Sequence, residues 1–178
     1  MAKPEELKWQ KIGTSTLKIM YHTQERRNEL LKSPILCKKE NAWLGEGYYF
    51  WKEEIDAIMW GHNSKRKTEC FQIYKADIDC ENILDTVFNE EQYDFWIKQI
   101  EKAAKQIIKK TEIKPTVREI NQYFKDRGKW GYDGILFQDL PHSDDLLIVN
   151  FNYRKRIQLV VYELRIIHRF ELYLEQKR

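Results

Sequence analysis

The sequence predicts an α+β domain, and three observations support that prediction. Short β-type runs occupy residues 17–22, 70–79 and 157–162, where apolar side chains alternate with polar ones or follow one another directly. Residues 90–110 instead carry apolar side chains at spacings of three and four, which is the period of an amphipathic helix. No segment rich in Gly, Pro or Ser divides the 178 residues, so we expect one domain over residues 1–178.

The composition narrows the class of protein without identifying it. The chain has 31 basic and 28 acidic residues, and its net charge of +3 would ease approach to a polyanion without diagnosing a nucleic-acid binder. Its cysteines, Cys37, Cys70 and Cys80, are widely spaced and form no CxxC pair, which argues against a disulfide framework and against a zinc site. We therefore expect a reducing, cytoplasmic location and no bound metal.

The first residues indicate neither export nor membrane insertion. They include no apolar core of signal-peptide length, and no run of about 18 apolar residues occurs anywhere in the chain. We therefore expect no membrane partner. Residues 1–13 are polar and predict an N-terminal cap on the domain.

The first predicted strand ends on a histidine. Apolar and polar residues alternate over residues 17–22, and His22 closes the pattern. A single histidine at a strand end is more often a hydrogen-bonded core or rim residue than a ligand-binding group. Residues 25–32 then predict a helix, because Leu30 and Leu31 lie among charged residues at helical spacing and the Ser-Pro dipeptide that follows would end it.

The spacing of apolar residues changes from a β-type to a helical pattern within the segment at residues 45–61. Gly45 and Gly47 free the backbone for a tight approach or a positive φ, and the four aromatics at residues 48–51 predict a short buried strand. Residues 52–61 then follow helical spacing. A glycine corner, a strand and a helix can place an aromatic floor beside exposed backbone amides, which suits a planar, phosphate-bearing ligand; the alternative is simply a well-packed strand and helix.

Two helices are predicted between the middle and the last strands. Residues 83–86 complete the β-type pattern that begins at residue 70, and a helix of about five turns follows. Thr116 and Glu119 form the pattern of a capping box for a second helix, which Gly128 ends. We interpret residues 90–127 as a helical insertion packed on the sheet. β-type runs return at residues 132–137, 146–151, 157–162 and 166–174.

The glycine segment resembles the NAD-binding core of the ADP-ribosyltransferases, in the branch that includes diphtheria toxin and the poly(ADP-ribose) polymerases. The likeness lies in a Gly-x-Gly-x-Tyr-Phe strand, followed by a small residue eight positions after the tyrosine and an aromatic eleven positions after it. An ungapped match places these positions at Tyr49, Ala57 and Trp60. The resemblance implies that Tyr49 and Trp60 sandwich the nicotinamide ring, and that Gly47 and Ala57 also contact NAD.

The three residues before Gln24 resemble the first signature of that family. Tyr21-His22-Thr23 matches the form Tyr/Trp/Arg-His-Gly/Thr at the end of the first strand. The resemblance implies that His22 donates a hydrogen bond to the 2′-hydroxyl of the adenosine ribose. Thr23 occupies the place of a glycine whose backbone holds the carboxamide of nicotinamide, and a threonine backbone offers the same groups.

The third signature of the family is a glutamate that starts an apolar strand, and three residues of this chain compete for its place. Gln158 precedes an apolar run with the downstream spacing of the family, and we favour it. Asp145 supplies a carboxylate before the run at residues 146–149, and Gln138 is the third choice. A glutamine keeps the hydrogen bond to the ribose but loses the charge that stabilises the cationic transition state.

The resemblance implies a split pair of small antiparallel sheets around an NAD cleft, with the two-helix insertion added. It further implies mono-ADP-ribosyl transfer from NAD, as substrate, to a protein or nucleic acid, with Gln158, Tyr49 and His22 as the catalytic residues. Such small domains act as toxins or phage-defence effectors, and a neutralising antitoxin would then be a partner. The alternatives are a catalytically degenerate module that binds NAD or ADP-ribose, and an NAD glycohydrolase.

Overall fold

The computed structural model describes residues 16–38, 42–64, 67–128, 131–139 and 155–177. Within these residues the chain forms one seven-stranded sheet and three α-helices, which confirms the α+β class. The elements, in chain order, are β1 (Leu17–Glu25), β2 (Tyr48–Trp51), α1 (Glu54–Ser64), β3 (Cys70–Asp79), β4 (Ile83–Asp85), α2 (Glu90–Thr111), α3 (Val117–Asp126), β5 (Gly134–Asp139), β6 (Arg156–Val161) and β7 (Ile167–Lys177).

The strands lie in the order β4-β5-β6-β2-β1-β3-β7. β1 pairs with β3 over its whole length, whereas β1 and β2 pair at a single position, Tyr21 opposite Trp51. β4 and β5 run parallel, and the other pairs are antiparallel. The parallel pair differs from the antiparallel sheets that the sequence predicts. Its two strands are connected through α2 and α3, and parallel strands require a crossover connection of that kind. None of the helices in these residues is long and apolar enough to cross a membrane.

The two faces of the sheet carry different parts of the predicted site. Paired residues of antiparallel strands share a face, and neighbours along a strand lie on opposite faces. The His22 face is the one that carries His22 together with Phe50 and Leu159, and Phe50 and Leu159 pack in one buried cluster. The Tyr49 face carries Tyr49 and Trp51, and it is covered by two clusters, one beneath α2 and one beneath α1.

The helix α1 lies directly on β3. Gly61 of α1 has no side chain to keep it from the ring of Phe71, and a Cβ atom there would overlap that ring. Phe71 and Ala57 are fully buried. The absence of a side chain at Gly61 therefore sets how closely α1 approaches the strand, and it explains a glycine within the helix, which continues beyond the predicted residues 52–61 to Ser64.

The two predicted helices of the insertion are confirmed, with their boundaries. Asn89 caps α2 by accepting a hydrogen bond from the Gln92 amide, and Thr116 forms the expected capping box with Glu119. The hydrogen bonds that Glu119 accepts from Thr116, chiefly the one from the backbone amide, lower the pKa of the Glu119 carboxyl. Ala103, Ile120 and Phe124 form the buried contact between the two helices.

Replacing Thr116 with alanine tests the capping box. Thr116→Ala should lower the free energy of unfolding by about 1 kcal/mol, because it leaves helix-terminal amides without their side-chain acceptor. Thr111→Ala, at the C-terminal end of α2, is the control, because the hydroxyl there donates to the Ile107 carbonyl and alanine is the better helix former. Urea unfolding measures both changes, and equal losses for the two variants would contradict the role of the cap.

Two local predictions are wrong. β1 does not end at His22 but continues to Glu25, and residues 26–34 form no helix. The reason is tertiary: the Arg26 amide donates to the Cys70 carbonyl, while the Glu25 carboxylate accepts from the amides of Lys67 and Thr68. Leu30 is 59% exposed, so the apolar positions of this segment have no core to face. The predicted cap at residues 1–13 and strand at 146–151 lie outside the described residues.

Candidate functional site

Two contacts fix the position of the Tyr49 side chain. Its hydroxyl donates to the Gly45 carbonyl at 2.8 Å, and its ring meets the ring of Phe137 edge-on at 6.3 Å. Gly45 has a φ of +94°, which confirms the predicted corner, since only glycine adopts that conformation without strain. Burial raises the pKa of the Tyr49 hydroxyl well above its usual value, so this group remains protonated and acts as a hydrogen-bond donor.

Replacing the hydroxyl of Tyr49 tests how firmly the corner is held. Tyr49→Phe should cost about 1 kcal/mol of unfolding free energy, because the buried Gly45 carbonyl loses its donor. Tyr48→Phe removes the same group from the neighbouring residue, which points to the other face of the sheet, and it should cost less. Thermal and urea unfolding of the two variants would measure this difference. A larger loss of unfolding free energy for Tyr48→Phe than for Tyr49→Phe would contradict the role of the hydrogen bond from Tyr49 to Gly45.

His22 bridges β1 and β2 from a buried position. It is 4% exposed, and its ring packs against that of Phe50 at 5.4 Å. Its Nδ1 lies 2.8 Å from the Tyr49 carbonyl oxygen, which can only accept, so Nδ1 carries the proton. Nε2 is then an acceptor, and it faces the Gln24 amide nitrogen at 3.0 Å and the Ile35 backbone N–H at 3.4 Å.

Thr23 contacts Ala57, another residue that the resemblance assigns to the NAD site. Its hydroxyl donates to the Ala57 carbonyl at 2.9 Å, and both residues are buried. The bond ties β1 to α1. Thr23 and Ala57 are therefore neighbours in space, although they lie 34 residues apart in the chain.

Trp60 lies beside Trp51. The two rings are 5.7 Å apart and tilted by 51°, and Trp60 packs at the edge of the cluster beneath α1. Tyr49 packs in the cluster beneath α2. Strand alternation places the rings of Tyr49 and Trp51 on the same face of the sheet. Of these two β2 rings, Trp51 is the one that contacts Trp60 in the described structure. The rings predicted to sandwich nicotinamide thus belong to separate clusters.

Gln158 lies on β6, opposite Trp51 of β2 and opposite Phe137 of β5. It is 9% exposed and belongs to the Tyr49 face. Arg156 precedes it by two residues on the same face, with its guanidinium 5.2 Å from the Trp51 ring and 2.9 Å from a carboxylate oxygen of Asp139. Gln158 is therefore largely buried, next to an aromatic ring and near an ion pair.

The other candidates for the third signature lie elsewhere. Gln138 pairs with Ile157, so it belongs to the opposite face from Gln158. Asp145 lies outside the described residues. His22 also points away from the Gln158 side, because its neighbour Tyr21 is the β1 residue that pairs with Trp51. The structure thus brings Gln158 to the Tyr49 face and leaves His22 on the other.

Gly47 fills a place where no side chain could be accommodated. It pairs with Cys37 in an isolated bridge, and a Cβ atom on it would overlap a methyl of Val160 and lie 3.0 Å from the Val161 carbonyl oxygen. The glycine is therefore required by the approach of β6. Its contribution to ligand binding remains a prediction.

One positioning residue was missed by sequence reasoning. Asn121 of α3 is 1% exposed, and its amide donates to the Leu44 carbonyl at 2.9 Å, where the Tyr162 hydroxyl also donates at 3.0 Å. The helical insertion therefore holds the backbone just before the glycine corner. A signal was present, since Asn121 interrupts the apolar stripe that contains Ile120 and Phe124.

The chemical repertoire of the described site consists of hydrogen-bonding groups and aromatic rings. On the Tyr49 face these are the rings of Tyr49, Trp51 and Trp60, the Thr23 hydroxyl and the Gln158 amide, whereas the His22 imidazole lies on the opposite face. In the part of the chain that the structure describes, no group of three or more His, Cys, Asp or Glu side chains could hold a metal ion. Such a site can bind a ring and orient a sugar hydroxyl by hydrogen bonding.

Comparison with known proteins adds little to this geometry. No family model matches the chain, and no solved structure matches it. An uncharacterized protein of Methanocaldococcus jannaschii is 33% identical over 70 residues, which covers 35% of this chain and 33% of that protein. The match thus spans about a third of the length of that relative. It indicates similarity over a segment and no activity.

Proposed function

We propose that this chain is an NAD-dependent mono-ADP-ribosyltransferase of the cytoplasm that modifies a protein or a nucleic acid. The observation that supports it most is a pair of hydrogen bonds between motif positions, from His22 to Tyr49 and from Thr23 to Ala57. These residues are 27 and 34 positions apart, and a chance sequence match gives no reason for such neighbours.

The strand order supports the same proposal. The strands that carry the three signature positions, β6, β2 and β1, are adjacent in the sheet. Because β1 and β2 pair only between Tyr21 and Trp51, the sheet can open there into two halves, β7-β3-β1 and β2-β6-β5-β4. We take this division as the split pair of sheets of the family, with the NAD cleft between the halves.

Each group has a chemical task in the proposed reaction. Breaking the bond between nicotinamide and ribose develops positive charge on the sugar, so the site must hold the leaving ring and orient the ribose. Tyr49 in the cluster beneath α2, and Trp60 with Trp51 in the cluster beneath α1, supply the aromatic surfaces, and stacking adds about 0.5–1.5 kcal/mol beyond area burial. The Gln158 amide bonds the ribose 2′-hydroxyl, and His22 serves the adenosine side.

A binding module without catalysis is the second candidate, and one observation favours it. Both ring nitrogens of His22 and the hydroxyl of Thr23 already have partners within the protein. Together with a glutamine at the glutamate position, this suits a site that holds NAD or ADP-ribose without cleaving it. A ligand would have to displace Gln24 or Ile35 from Nε2 before it could use that nitrogen.

The fate of labelled NAD tests the proposal. The protein is incubated with NAD labelled in the adenylate part, together with cell extract as the source of acceptors. Label on a macromolecule means transfer and supports the proposal. Free ADP-ribose means hydrolysis, intact bound NAD means a binding module, and no binding at all overturns every one of these functions.

Two histidine variants, a test and a control, measure the contribution of His22 to NAD binding. His22→Ala should weaken NAD binding by a hydrogen bond to a neutral group, about 0.5–1.5 kcal/mol, or roughly two- to tenfold in Kd. His168→Ala removes an exposed histidine from β7 and should leave the affinity unchanged. Calorimetry measures both. Equal affinities for the two variants would remove His22 from the site.

A further inference from the structure

A stripe of exposed side chains runs along α2 on the side away from the core. Its members, which we call the α2 stripe, follow one another at spacings of three and four residues, so that they fall within an arc of about 80° and extend over about 21 Å. All are exposed, whereas Trp96 and Ala103 are buried on the opposite side of the helix. The α2 stripe consists of Phe95, Lys98, Lys102, Lys105 and Lys109.

Positive charge is concentrated along the α2 stripe. Residues 98–110 contain five lysines and a single acidic residue, Glu101, so this short stretch has a larger net charge than the +3 of the whole chain. Glu101 approaches Lys105 only to 4.0 Å, and both side chains are largely exposed, so the pair neutralises little. A shallow concavity of about 410 Å³ lies along these side chains.

Helix stability explains only part of the arrangement: Asp94 and Glu101 precede Lys98 and Lys105 by four residues, and Lys109 lies in the last turn, where a cation is favourable. A solvated helix face normally alternates opposite charges at i,i+4, whereas Lys98 and Lys102, and again Lys105 and Lys109, place like charges at that spacing. Such pairs repel each other and destabilise a helix slightly. The stripe therefore has a cost for the isolated protein, and a bound polyanion would remove it.

We propose that the α2 stripe binds single-stranded nucleic acid. The lysines lie about 4.5 or 6 Å apart along the helix axis, which suits the regularly spaced charges of a phosphodiester backbone. Phe95, 42% exposed at one end of the stripe, has the ring of Tyr132 as a T-shaped neighbour at 6.4 Å, and its exposed part is offered to a base. Stacking on an aromatic side chain requires an unpaired base, so a single strand is favoured over a duplex.

Binding of a fluorescent single-stranded oligonucleotide, measured by anisotropy without NAD, tests this proposal separately from the proposed enzymatic function. The test variant replaces the four lysines of the stripe with glutamine, which preserves helix propensity. The control replaces four exposed lysines away from α2, namely Lys18, Lys32, Lys67 and Lys177, and so has the same net charge. Circular dichroism verifies that both variants are folded.

We expect the logarithm of the binding constant to fall with the logarithm of salt concentration at a slope of about −3, since each phosphate contact to a single strand contributes about −0.7. The stripe variant should lose most of this slope and most of the affinity, and the control should keep both. Phe95→Ala should weaken binding about fivefold or more without changing the slope, because it removes stacking and no charge.

Three results would overturn the proposal. They are the absence of oligonucleotide binding at low salt, equal losses in the stripe and control variants, and equal affinity for a duplex together with no effect of Phe95→Ala. Parallel measurements with DNA and RNA strands of one sequence identify which of the two sugars is preferred. Tighter binding of either nucleic acid by both the parent and the control variant than by the stripe variant supports the proposal.

Discussion

Gly134→Ala is expected to destabilise the protein by about 3 kcal/mol or to prevent its folding. Gly134 is the first residue of β5, between β4 and β6, and a Cβ atom on it would overlap the Val160 carbonyl oxygen and lie 2.8 Å from a methyl of Ile83. A side chain could rotate away, but the carbonyl belongs to the central ladder of the sheet. Overpacking of this kind typically costs 1–3 kcal/mol and sometimes more.

Gly131→Ala is the matched control for that change. It lies three residues earlier, and a Cβ atom there would have no neighbour within 4 Å. Alanine at this place should be neutral or slightly stabilising, because it restricts the unfolded chain. Urea unfolding and the Tm of both variants would measure the difference. Similar stabilities would show that β5 and β6 are not packed as described.

Gln158→Ala is expected to lower the release of labelled nicotinamide from NAD by roughly ten- to a hundredfold, if the proposed transferase function holds. The reason is that the variant loses the hydrogen bond that orients the ribose where positive charge develops, and removal of one such preorganised group typically costs about that much or more. Gln158→Glu should retain or raise the rate, because a carboxylate stabilises a cation better than an amide does.

The surroundings of Gln158 suit the added charge. Arg156 lies on the same face two residues away, and its guanidinium would attract a carboxylate at position 158. The stability of Gln158→Glu should be measured beside its rate, because Gln158 is 9% exposed and an unpaired carboxylate there would be costly.

Two further variants make this result decisive. Gln138→Ala removes a glutamine from the opposite face of the sheet and should leave nicotinamide release unchanged. Asp145→Asn tests the rival for the third signature position and should also have little effect. Loss of release in Asp145→Asn, with Gln158→Ala mild, would transfer the role to Asp145. Identical rates in all variants would remove both residues from the proposed mechanism.

The local elements were largely predictable because their signals are local. β3 follows the expected residues 70–79, and α2 and α3 begin at the side-chain caps that the sequence shows. The corner at Gly45 was also predictable, since a positive φ requires glycine or a few polar residues. Each of these features depends on side chains within a few positions of one another.

The segment after His22 was not predictable in the same way. Its helical spacing is genuine, yet Glu25 and Arg26 bind residues more than 40 positions away, and these bonds extend β1 instead. The partner of Trp60 was missed for a related reason. Two aromatic residues of β2 share a face, and only the placement of α1 selects Trp51 rather than Tyr49 as the neighbouring ring.

The sequence by itself determined most of the strands and helices and the capping box of α3, and its resemblance to a family suggested residues for an NAD site. Only the tertiary structure decided that His22 donates to the Tyr49 carbonyl, that Thr23 bonds to Ala57, and that Gln158 lies on the opposite face from His22. The physical reason is that these relations depend on strand order and register between distant segments. Alternation of apolar residues fixes which face a side chain occupies on its own strand, but a shift by two residues preserves that pattern and changes every cross-strand neighbour.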